Sequence, residues 1–128
     1  MSRLCLVAGS LLGATAVAAG AFGAHGLKDL LEAGGQAANW ETAARYGMYH
    51  ALALVSLGLM AARGRGAVGT VAAAAICFLA GTLVFSGCLA VLAVTGLKIL
   101  GAIVPIGGTL LIAGWLLMGW AASRESPG

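Results

Sequence analysis

Charge is what this chain most lacks. Charged residues make up 9% of its 128 residues and hydrophobic residues 61%, whereas a typical soluble domain carries roughly 25% charge. Every Asp, Glu, Lys and Arg falls outside the centres of four long apolar stretches. A charge at mid-helix costs about 2.5–3.5 kcal/mol on the insertion scale, so a lipid-embedded chain has to avoid it. A soluble protein could not cover this much apolar surface. The net charge of +3 is scattered, with no basic run interleaved with aromatics, which leaves no footprint for nucleic acid.

Cysteine is also scarce. Cys5, Cys77 and Cys88 are an odd count without a C-x-x-C spacing, so neither a disulfide framework nor a thiolate zinc site is supported. On one helix Cys77 and Cys88 stand ~16 Å apart, beyond disulfide reach. All three read as small packing residues. Catalytic signatures are missing too. The chain has no G-x-S-x-G, no H-E-x-x-H, no Gly-rich phosphate loop followed by Lys, and no Asp or Glu inside an apolar stretch to act as a base. Ser86 and His50 would lack an acidic orienter. The expectation is a protein that is not an enzyme and holds no cofactor or metal.

What is present is length. The apolar stretches run Leu4–Ala24, Tyr46–Ala62, Ala67–Val94 and Ile99–Ala121, and about 20 apolar residues suffice to cross a hydrocarbon layer ~30 Å thick. Arg3 followed by Leu4–Val17 resembles the start of a signal peptide, and Ala16-Val17-Ala18 a cleavage site. The apolar run continues through Ala24, longer than the usual 7–15 residues of such a region, and reads as a retained helix. The expected fold is an all-α membrane protein, one domain over 1–128. It is a four-transmembrane-helix antiparallel bundle with helices at about 4–24, 40–62, 67–94 and 99–121. The short links 63–66 and 95–98 force antiparallel neighbours.

The first outer loop has room for structure of its own. Leu27, Leu30 and Leu31 share one face, opposite Lys28, Asp29 and Glu32, which predicts a short amphipathic helix over about 27–33, lying on the membrane surface. Gly34-Gly35 ends it, and Asn39 is the expected N-cap of a helix starting near Trp40. Arg3, Arg63, Arg65 and Arg124 fall on one side of this topology, and Lys28, Arg45 and Lys98, diluted by acids, on the other. The short Arg63-Gly64-Arg65 turn argues for a cytoplasmic position, with both termini inside. Trp40, Tyr46 and Tyr49 then mark the outer interface, and Trp115 and Trp120 the inner one.

Small residues recur at helical spacing: Gly9, Gly13, Ala16, Gly20 and Gly23; Ala43, Gly47, Ala51 and Gly58; Ala74, Cys77, Gly81 and Cys88; Gly101, Gly108 and Gly119. Such stripes let backbones approach in lipid. They are also candidate faces for a homo-oligomer or another membrane protein.

The polar exceptions define the candidate site. His50 shares a stripe with Gly47, Ala51 and Leu54, and Tyr46 is one turn earlier. Thr82 and Ser86 are a turn apart in the third apolar stretch. Pro105 removes a backbone donor in the fourth, just before Gly107 and Gly108. His50, Ser86 and Pro105 lie ~9–12 Å inside the outer edge by helical rise, and His25 is assigned to the same rim. His25, Tyr46, His50, Thr82, Ser86, Pro105, Gly107 and Gly108 therefore form one candidate outer-leaflet cluster.

The ordered motifs Gly20-Ala21-Phe22-Gly23-Ala24-His25-Gly26-Leu27, Trp40-Glu41-Thr42-Ala43, Tyr49-His50-Ala51-Leu52, Phe85-Ser86-Gly87, Pro105-Ile106-Gly107-Gly108 and Gly114-Trp115 resemble the YgdD/YwdK-like family (domain of unknown function 423). That family of small multi-pass membrane proteins has eukaryotic relatives among transmembrane protein 256. The likeness covers about residues 4–120. It implies a protein of the bacterial cytoplasmic (inner) membrane and supplies no activity, substrate or cofactor. The first reading is a non-enzymatic accessory or interaction component whose polar cluster is structural. The alternative is a small transporter or channel-like protein that binds a small ligand or proton there. The third is a metal or haem protein held by His25 and His50.

Overall fold

The apolar stretches fold as helices, because a backbone without water must satisfy its polar groups internally. The computed structural model describes residues 1–124. It contains α1 (Ser2–Ala24), α2 (Lys28–Ala33), α3 (Ala37–Ala62), α4 (Val68–Thr95) and α5 (Ile99–Ser123), with no strand among the described residues. By length and composition, three of these, α1, α4 and α5, can cross a membrane. The expected set was four. α3 is as long, at 26 residues, but its first half carries Glu41, Arg45, Tyr46 and Tyr49, with His50 next, and is correspondingly less apolar.

The turns explain the boundaries. Gly35 adopts φ +65, Gly35 N–H reaches Glu32 O at 3.1 Å, and Gln36 N–H reaches Leu31 O at 2.8 Å. This paired closure of a helix end needs the left-handed residue that glycine supplies. Gln36 can then precede the next helix at once, so α3 begins at Ala37 and not near Trp40. Asn39 is not its cap. Its Nδ2 donates to Gln36 Oε1 at 2.7 Å. Gly96, at φ +71, closes α4 by donating to Leu92 O at 2.8 Å. In α2 only Leu31 is buried, while Leu30 stays exposed.

Packing runs α1 on α3, α3 on α4, and α4 on α5, while α1 and α5 make no more than marginal contact. The four long helices pack as an open series, each on the next. Backbone-to-backbone approach at glycine holds the neighbours together. A Cβ on Gly9 would stand 2.8 Å from Ala51 O, one on Gly58 3.0 Å from Ser2 O, and one on Gly81 3.0 Å from Leu111 N. The expected stripe on α5 was Gly101, Gly108 and Gly119, but the buried one is Gly107, Leu111, Gly114 and Ala121. A Cβ on Gly119 would touch nothing. Phe78, Leu54, Leu57 and Ala74 are fully enclosed at the centre. Ser2 lies against Gly58, and Ala121 against Gly66, which brings the start of α1, the α3–α4 turn and the end of α5 to one end of the molecule.

Candidate functional site: an imidazole held between α3 and α5

His50 sits midway along α3 on the face that also buries Gly47, Ala51 and Leu54, and it is 4% exposed. Both ring nitrogens are engaged. Nδ1 lies 2.7 Å from Tyr46 O, and the indole Nε1–H of Trp115 donates to Nε2 at 3.2 Å. An indole N–H can only donate, so Nε2 accepts, and the ring hydrogen belongs on Nδ1, where the Tyr46 carbonyl receives it. A neutral imidazole satisfies both bonds. A protonated ring would present N–H to N–H.

Aromatic rings surround this pair. Phe78 stands 5.8 Å from His50 and 5.4 Å from Trp115 between centroids, edge-on to the indole. Tyr46 lies 4.8 Å from Phe85. Gly107 and Gly114 make room for the layer. A Cβ on Gly107 would stand 2.9 Å from Gly81 O, and one on Gly114 2.8 Å from the Phe78 ring. Gly108 borders Phe85 at 3.7 Å by the same measure. An open groove between α3 and α5 runs past Tyr46, Tyr49, His50, Phe85 and Trp115.

A family model described as "Protein of unknown function (DUF423)" matches residues 19–108. The chain is 43% identical over 116 residues to the UPF0382 membrane protein SH2409 of Staphylococcus haemolyticus, covering 91% of this chain and 92% of that one. It is 38% identical over 122 residues to the UPF0382 membrane protein YwdK of Bacillus subtilis, covering 95% and 98%. The chain belongs to the DUF423 family. No solved structure matches it.

In this DUF423 protein the eight candidate residues do not form one cluster. Tyr46, His50, Gly107 and Gly108 gather with Phe85 between α3, α4 and α5. Thr82 and Ser86 line a separate cavity, between α1, α3 and α4. Pro105 is exposed, and α5 continues through it. His25 is exposed at the end of α1. Gly13 packs on Ala51, so His50 is level with Gly13, and His25 lies twelve residues further along, ~18 Å away along the axis. The depth reckoning failed because α3 starts at Ala37, earlier than the edge assumed at Ala44. With that separation, the two imidazoles cannot share a metal or a haem.

Two of the tryptophans assigned to interfaces, both at least partly exposed, also fasten helices together. Trp115 holds His50. Trp40 Nε1–H donates to Ala19 O at 2.8 Å, with its ring against Gly23. The signal for Trp115 was available, since it is four residues after Leu111 and adjacent to Gly114 on the buried face.

Proposed function

We propose that this is a non-enzymatic integral membrane protein of the bacterial cytoplasmic membrane, an accessory or interaction component whose His50 layer is structural. The observation that carries the reading is that His50 spends one nitrogen on Tyr46 O and the other on Trp115. Neither nitrogen is left for a proton path, a substrate or a metal. In lipid such a bond joins helices that have no hydrophobic drive to associate.

Four crossings fit this reading better than three. α3 follows α1 from Gly58 against Ser2 to Trp40 against Ala19, so any bilayer crossed by α1 is crossed by α3 as well. Glu41 and Arg45 pair on the exposed side of α3 near its start. Arg3, Arg63, Arg65 and Arg124 fall at the end where α1 starts and α5 stops, in keeping with a cytoplasmic side rich in Arg. The names of the staphylococcal and Bacillus relatives, membrane proteins both, support the setting.

The test is a double-mutant cycle of His50→Leu and Trp115→Phe, read by unfolding in detergent. Each change lowers stability, and the pair couples by about 0.6 kcal/mol, up to about 1.7. Additive losses would remove the cross-link and with it the structural reading.

A further inference from the structure

A second, partly open space lies between α1, α3 and α4. It has a volume of about 200 Å³ and apolar walls from α1, α3 and α4, among them Leu12, Ala16, Trp40, Ala43 and Ala90. An apolar cavity of roughly 150 Å³ stays dry and takes up benzene or xenon, so this one is large enough for a small molecule. Its few polar groups divide sharply. The Thr15 hydroxyl is spent on Leu11 O at 2.9 Å, and the Trp40 N–H on Ala19 O. Thr82 Oγ1 and Ser86 Oγ are buried and have no hydrogen-bond partner among the described residues, and Thr82 is only 3% exposed.

Two unpaired hydroxyls in an apolar space are costly, at about 1–3 kcal/mol each. At an i, i+4 spacing they are neighbours on one helix face. What each lacks is an acceptor for its hydrogen, and one oxygen between them can receive both. A ligand that only donates would leave both hydrogens stranded. The cavity opens between α1 and α4 beside the exposed Leu83, a rim suited to a molecule that arrives from an apolar medium.

We propose that the cavity between α1, α3 and α4 binds a small apolar molecule carrying one acceptor oxygen, a ketone, ether or ester, which Thr82 and Ser86 hold by hydrogen bonds. This shares only its membrane setting with the His50 reading, and the two fail separately.

The experiment uses the full chain in detergent and two probes, a bromoalkyl ketone and the bromoalkane of equal length, with bromine quenching of Trp40 as the readout. The ketone is expected to quench at a roughly two- to tenfold lower concentration, the worth of one to two neutral hydrogen bonds. Thr82→Val with Ser86→Ala abolishes that preference and leaves the alkane response unchanged. Gly87→Leu and Ala90→Leu, two independent ways of filling the space, remove the quenching by both probes. Equal response to the two probes in the native chain would overturn the proposal. So would quenching that persists in whichever filled variant retains the native unfolding midpoint. A bridging water that already satisfies both hydroxyls would give the first of these results.

Discussion

Trp115 and His50 are 65 residues apart in sequence and joined by one hydrogen bond of 3.2 Å, and that bond fixes which ring nitrogen carries hydrogen. Together with the Tyr46 carbonyl it makes the imidazole a bracket between α3 and α5, two helices that otherwise barely touch. The prediction is spectroscopic. In protein labelled with 15N histidine, His50 gives the Nδ1–H tautomer, with an unprotonated Nε2. Adding zinc leaves its signals in place, since no lone pair is free. A Nε2–H pattern, or loss of the His50 signals on zinc addition, would mean that the bracket is not formed.

The companion bracket is Trp40, which donates to Ala19 O and lies against Gly23. It joins α1 to α3 near the α2 loop, a region where most of α1 is exposed. Trp40→Phe keeps the aromatic bulk and deletes the donor. Unfolding in detergent should drop by about 0.5–1.5 kcal/mol, the net worth of a neutral hydrogen bond. Trp120→Phe should change little, because Trp120 is exposed and its ring lies 4.3 Å from the Arg124 guanidinium. Equal effects at the two positions would deny Trp40 its fastening role.

Helix existence and order were legible because charge avoidance marks lipid-facing segments, and Gly-Gly or Arg-Gly-Arg turns punctuate them. The buried face of α3 was legible as well, since Ala43, Gly47, His50, Ala51 and Gly58 follow one period. The face of α5 was not. Where almost every residue is apolar and glycine is abundant, several small-residue stripes compete. The one that is buried is chosen by what sits opposite, namely Phe85 against Gly107 and Phe78 against Gly114. Pairing of distant donors and acceptors, such as Trp115 with His50, depends on that same helix rotation. Depth along the axis was misjudged for His25 because one early helix start, at Ala37, shifts every level on α3.

Rotation of α5 can be tested directly. A methyl on Gly107 would meet the backbone of α4, with Gly81 O and Phe85 Cα each 2.9 Å away, and backbone cannot move aside as a flexible side chain does. Gly107→Ala should cost about 1–3 kcal/mol, as overpacking does. Gly119→Ala meets open space and should be neutral or slightly stabilising, since alanine favours helix. Reversal of that order would mean that the sequence-based stripe, through Gly119, is the true contact face.

The number of crossings follows from which ends share a side. If α3 spans with α1, the turn at Gln36 and the turn at Arg65 lie on opposite faces of the membrane. If α3 lies along the surface, they lie on the same face. Replacing Cys5, Cys77 and Cys88 by Ala gives a background for single cysteines, and none of the three is in a disulfide. Gln36→Cys should react with a membrane-impermeant maleimide in intact cells. Arg65→Cys should react only after permeabilisation, because a short Arg-rich turn is held on the cytoplasmic side. Labelling of both from outside, or of neither, would put α3 in the interface. Because α1 runs along α3 for most of its length, it would then leave the bilayer with α3, and the four-crossing reading would fall.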